Sequence, residues 1–232
     1  MKKYTLSKYC NPLLIILSAF FFLSFHPLLF LELKGDETIL EVNAGYKDFF
    51  YKLKMLGFEK NTTSIDVGSL NLSLSGCFDV SICYQTLHWL PDSHEVYKNL
   101  LTCLKHNGKS LIISYSPNSE LVKLIIKTLQ DLNIEPHLLP KPLDVSQYKK
   151  IYQDHNHRLL YSNIQRQVLV YRSKYELYND SFRYISPFLP KESVDLFCQK
   201  FIENAQIYLD NNKYIIFHIN NILLTQNNSF TD

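Results

Sequence analysis

The side chains best suited to chemistry here are thiols and imidazoles. The chain holds five cysteines (Cys10, Cys77, Cys83, Cys103 and Cys198) and eight histidines. Thiolate and imidazole together are the usual zinc ligands. Cys77, Cys83, His88, His94 and His106 follow one another in a single stretch, but at steps of five or more residues. Structural zinc sites use tighter knuckles, and no CxxC pair occurs. An odd cysteine count without a pairing framework points to free thiols in a reducing compartment and to no metal. His94, His137, His155, His157 and His218 read as residues of solvated faces.

The elements that must position these groups alternate between strand and helix, the signature of an α/β domain. Thr38 to Val42 is a short apolar strand. Tyr46 to Leu56 places Phe49, Phe50, Leu53 and Leu56 on one helical face and ends at Gly57. Strands are predicted over 62–67 and 78–83. A helix over 94–106 ends at Asn107-Gly108, and a strand follows over 109–115. Helices are predicted over 118–132 and 145–160, and a strand over 165–171. Helices over 174–184 and 191–209 and a long strand over 213–224 close the pattern. Residues 227–232 read as a polar tail.

Hydrophobic residues make up 46% of the 232 and charged residues 20%, so the chain can bury a sizeable core. A net charge of +2 builds no strong positive field, which disfavours nucleic-acid binding. Only six glycines are available for phosphate-type loops. Lys2, Lys3 and Lys8 precede an uncharged run from Cys10 to Leu31. Its length of about 33 Å as a helix would cross a bilayer core, although His26-Pro27 would kink it. With no small-x-small cleavage site, the run reads as an uncleaved hydrophobic helix, in contact with a membrane or docked as a cap on the domain. The predicted organisation is a hydrophobic segment over 1–32, a domain over 33–226 and a tail over 227–232.

The stretch FDVSICYQTLHWLPDSHEVYKNLLTCLKHNGKSLIISY, residues 78–115, resembles the second half of a class I S-adenosylmethionine-dependent methyltransferase. The matching features are Phe78-Asp79, His88-Trp89 and Leu104-Lys105-His106-Asn107-Gly108, in order and at workable spacing. Residues 33–45 look like the lead-in and first strand of that fold. The final helices and strand look like the closing part of trans-aconitate and juvenile-hormone-acid methyltransferases. The resemblance implies a Rossmann-like sheet with helical cap elements, S-adenosyl-L-methionine as cofactor, and O-methylation of a small carboxylic acid. A cytosolic domain follows, since the cofactor is cytosolic.

The same resemblance implies the site residues. The family's (D/E)xGxGxG loop corresponds to Glu41-Val42-Asn43-Ala44-Gly45-Tyr46-Lys47, so Glu41 and Gly45 match while Asn43 and Lys47 replace the outer glycines. Asp66, 21 residues beyond Gly45 (66 − 45), corresponds to the acid that accepts the ribose hydroxyls. Tyr84 and Gln85 fall in the loop facing the cofactor, and His88 and Trp89 at the catalytic position. Only eleven residues, 67–77, separate the second strand from Phe78. The sheet is therefore expected to lack one edge strand, and with it a cofactor contact. If 62–67 is instead the third strand, then the second strand and its acid are missing. The altered loop leaves a rival reading, a catalytically inactive protein that binds a ligand on the same scaffold.

Overall fold

A computed structural model of the chain describes residues 31–43, 48–70, 74–134, 140–185 and 189–228. Gly35–Asp232 form one compact unit and Met1–Lys34 another. Apart from Leu31, the hydrophobic run 10–31 lies outside the described residues, so its predicted helix and membrane contact do too. Among the described residues no helix is long and apolar enough to cross a membrane.

In chain order the elements are β1 (Ile39–Asn43), α1 (Asp48–Met55), β2 (Thr62–Asp66), β3 (Phe78–Tyr84), α2 (Ser93–Thr102), β4 (Leu104–Tyr115), α3 (Glu120–Asp131), α4 (Val145–Asp154), β5 (His157–Tyr171), α5 (Lys174–Ile185), α6 (Val194–Asn204), β6 (Leu209–Asp210) and β7 (Lys213–Asn227). They build one seven-stranded sheet in the order β2-β1-β3-β4-β7-β5, with β6 paired to β7. The first four strands of that order run parallel, and β7 runs antiparallel to both neighbours. All five residues of β1 are buried, and β3 is nearly so. Such continuous burial is what strands covered on both faces require. The edge strand β5 instead alternates exposed and half-buried residues.

Residues 62–66 pair directly with β1, Asn43 opposite Asp66, which places this strand beside β1 rather than one position further out. Among the described residues nothing pairs with the outer side of β2. The connection from β2 to β3 holds a 3-10 turn over Val67–Ser69 and no described strand. Its Val67, Leu70 and Leu74 pack against the core with Ile65 of β2, so a short crossover still buries an apolar stripe.

Two hydrophobic clusters flank the sheet. In the first, α2 and α4 cover Leu40, Val42, Cys83, Ile112 and Leu223. The register row Leu40–Ser81–Ser110–Thr225 sets three small residues side by side. Tyr97 and Tyr148 meet edge to face at 5.1 Å on that side, and Tyr148 donates to Ser114 Oγ at 2.9 Å. In the second, α3, α5 and α6 gather Trp89, Tyr115, Tyr171, Tyr214 and Ile216. Strand β4 ends opposite Asn220, whereas β5 pairs with β7 as far as Tyr214. The start of β7 and the end of β5 thus form a ribbon beyond the parallel strands, and its Tyr171, Tyr214 and Ile216 carry the second cluster.

Several boundaries differ from the sequence reading. Helix α2 stops at Thr102, not His106, because Leu104 already pairs with Phe78. The left-handed Asn107 (φ 60°) then turns the chain at Gly108. A Cβ at Gly108 would lie 2.9 Å from the Lys105 carbonyl oxygen, so glycine is required by close approach. Helix α4 ends at Asp154 and β5 begins at His157, where a helix to Leu160 was expected. The helix expected over 191–209 is α6 with 3-10 turns at both ends, Lys191–Ser193 and Ala205–Tyr208. Asn227, assigned to the tail, ends β7 and donates to the carbonyls of Leu104 and Lys105.

Candidate functional site

The carboxyl ends of β1, β2, β3 and β4 bring most of the predicted residues to one edge of the sheet. At the end of β1, Glu41 is only 1% exposed. Its carboxylate accepts from Asn43 Nδ2 at 2.9 Å and from the Ser64 hydroxyl, and Asn43 Nδ2 also lies 3.0 Å from Ser64 Oγ. A buried carboxylate needs such donors. The Asn43 amide is thereby engaged across the β1–β2 pair, which fixes its orientation. Asp66 stands directly beside Asn43 and is exposed. Gly45 and Lys47 lie outside the described residues.

One strand over, Val42 is in register with Cys83, which links this group to the end of β3. Burial, reinforced by the nearby Glu41 charge, pushes the Cys83 thiol up to about 12, so it is protonated and inert. Tyr84 and Gln85 follow, both half-buried. Gln85 adopts the left-handed conformation (φ 50°) while its N–H donates to the Ile113 carbonyl at 2.6 Å. Positive φ in a residue other than glycine is uncommon, and such strain gathers at ligand-facing turns.

The turn Leu87–Trp89 then carries His88 and Trp89 inward. Both are fully buried rather than facing solvent. The Tyr115 backbone N–H donates to His88 Nδ1 at 3.1 Å. A backbone N–H can only donate, so the His88 proton sits on Nε2. The His88 ring lies 4.3 Å from Trp89 and 4.4 Å from Tyr115, centroid to centroid. Burial, together with the neighbouring His218, holds the His88 imidazole well below its ordinary range, so it is neutral.

His218 was expected on a solvated face and is instead completely buried. Its ring lies 4.9 Å from Tyr115, so the tyrosine neighbours both imidazoles. Burial lowers its pKa to about 4. His157 is buried as well, against the same expectation. The sequence did carry a signal for His218. Tyr214, Ile216, His218, Asn220 and Ile222 alternate along β7, and every one is buried. Among the other histidines, His94 is exposed and His155 half-buried, while His137 lies outside the described residues. Among the described residues no cluster of three or more histidine, cysteine or acidic groups could hold a metal ion. Cys77, Cys83, Cys103 and Cys198 are all free thiols.

No family model matches the chain, and no curated protein matches it. Solved structures do. A "putative methyltransferase" from Bacillus halodurans superposes with a TM-score of 0.59 at 12% identity, covering 88% of this chain and 98% of its own. The YcgJ protein from Bacillus subtilis gives a TM-score of 0.53 at 14% identity, covering 88% of this chain and 99% of its own. At such identities the likeness is one of fold. The chain has the Rossmann-like α/β architecture of these two neighbours.

Proposed function

We propose that the protein is an S-adenosyl-L-methionine-dependent methyltransferase acting on an oxygen of a small molecule. The observation that carries this reading is the exposed Asp66 carboxylate beside the anchored Asn43, at the carboxyl edge where open α/β sheets bind ligands. The group fits what these residues offer. Asp66 would accept the ribose hydroxyls. Asn43 would line the approach from β1, with Glu41 acting through it as a positioning residue. Tyr84 and Gln85 would contact the same ligand from the end of β3. When bound, S-adenosyl-L-methionine supplies a methyl group on a sulfonium centre, and the protein's part is to place and orient.

Deeper in, His88 and Trp89 close the acceptor side. Trp89 would present an aromatic wall, and the His88 Nε2–H would orient the acceptor oxygen. The family resemblance implies a small carboxylic acid as that acceptor. A carboxylate is already nucleophilic near neutral pH and needs no general base.

Isothermal titration with S-adenosylhomocysteine tests the cofactor half directly. Binding is expected, with Asp66→Ala weakening it at least tenfold. No detectable heat at millimolar ligand would instead leave the rival, a ligand-binding protein on a methyltransferase scaffold without the chemistry. The altered β1 loop favours that rival, since Asn43 stands where the family has glycine.

A further inference from the structure

The buried groups around Tyr115 do not match a carboxylate. His88 Nε2, both ring nitrogens of His218 and Asn220 Oδ1 are buried, with no hydrogen-bond partner among the described residues. His218 and Asn220 lie two apart on β7 and are both buried, and Asn220 is the register partner of Tyr115. The three residues therefore neighbour Tyr115 at the end of β4. Each such group left unmet is costly, so native chains keep them only with a reason.

Their chemistry specifies the missing partner. His88 offers a donor, as its Nδ1 already accepts from Tyr115. A neutral His218 offers one donor and one acceptor, and Asn220 Oδ1 is an acceptor. The set is mixed and uncharged. The acceptors of this set call for a donor, and an ionised carboxylate has none. A neighbouring acid also works against a carboxylate. Glu120 accepts from the N–H of Phe217, the residue next to His218, at 2.6 Å. Tyr115 belongs to an apolar and aromatic cluster with Trp89, Leu121 and Ile185.

We infer that His88, His218 and Asn220 form a recognition site for the hydroxyl head of a small uncharged molecule with an apolar body, an alcohol or phenol rather than a carboxylate. The hydroxyl oxygen accepts from His88 Nε2–H, and its proton is donated to the free nitrogen of His218 or to Asn220 Oδ1. The inference rests on the methyltransferase reading only in taking this molecule as the methyl acceptor. In that role the hydroxyl oxygen forms the new O–C bond as the S–C bond breaks, and the hydroxyl proton passes to the unpaired His218 nitrogen.

The test is a calorimetric panel on the full chain with phenol, anisole and benzoate, beside a separate titration with S-adenosylhomocysteine. Phenol is expected to bind at least tenfold more tightly than anisole, which lacks the donor, and than benzoate, which carries the charge. His218→Phe is expected to weaken phenol at least tenfold and to leave S-adenosylhomocysteine binding within twofold, and His218→Gln is expected to retain part of the preference. The panel on the unchanged chain decides the matter even if a variant fails to fold. Benzoate binding as tightly as phenol, or His218→Phe binding phenol like the parent, would overturn the site. A flat panel with S-adenosylhomocysteine bound removes this inference alone. Phenol preference without S-adenosylhomocysteine binding supports the site and removes the methyltransferase reading.

Discussion

Buried imidazoles make the stability of this protein depend on pH in a stated direction. His218 and His157 are both held down to about 4, chiefly by burial, with His155 adding to the effect on His157. In the unfolded chain they titrate near 6.5, at about the ordinary histidine value. Between about 6.5 and about 4 the unfolded chain therefore binds more protons than the folded one. The stability they contribute is fully present above that window and falls as pH falls through it, by roughly 3 kcal/mol for each group. Urea midpoints measured from pH 7.5 to pH 4.5 are expected to drop steadily, and His218→Phe is expected to flatten the drop. A midpoint that does not move would show that these rings are not buried and neutral. At the opposite edge, Asp79 accepts from the Thr38 N–H and hydroxyl and from Lys105 Nζ. These bonds hold its carboxyl below the ordinary range despite the opposing effect of burial. Asp79 is thus a tie between strand starts, as its type and place after Phe78 imply. Asp79→Ala is expected to cost about 1 kcal/mol, read as a shift in the urea midpoint.

The elements are built with few glycines, and asparagine takes their place. Asn107, Asn133, Asn156, Asn211 and Asn212 all adopt positive φ. Asn133 ends α3 as Gly57 ends α1. In both, the N–H one residue further on reaches back to the carbonyl five residues earlier, Ile134 to Leu129 and Phe58 to Leu53. Asn211 and Asn212 make the two-residue turn between β6 and β7, where both corners need φ above zero. Asn212→Gly is expected to raise stability by about 0.5 kcal/mol, since glycine reaches that conformation without cost; a lower melting temperature would contradict the turn. Gly108→Ala is expected to cost about 1–3 kcal/mol, because the Lys105 carbonyl leaves no room for a methyl group. Most elements were legible because apolar period and turn residues are local. The end of α2 was not. Leu104 continues the helical stripe of Val96 and Leu100, yet it is buried in a strand, and a spacing pattern does not distinguish the two.

At the scale of the whole molecule, the central strands and the ribbon differ in how well they are covered. β1, β3 and β4 are buried on both faces, whereas β5 exposes Ile164, Val168 and Val170, and β7 exposes Phe217. Hydrogen exchange is expected to be slowest in β1, β3 and β4 and faster by at least tenfold in β5 and in α5 and α6. Equal protection throughout would mean that the cap and the sheet open as one. Phe201, fully buried among the cap helices, is the side chain whose truncation should loosen that layer. Phe201→Ala is expected to cost roughly 3–5 kcal/mol, read in the urea midpoint.

The alternation of strands and helices was readable in the chain alone, and the family resemblance added the Rossmann-like sheet and the candidate residues at the ends of β1, β2 and β3. The alternation depends on neighbours a few positions away, through period and turn chemistry. Strand order was decided only in three dimensions, and with it the edge position of β2 and the inward turn of His88. So was the meeting of His88 with His218, 130 residues later (218 − 88). Both rings reach Tyr115 because β7 runs antiparallel beside β4, and a pairing between distant segments leaves no mark on the local pattern of either.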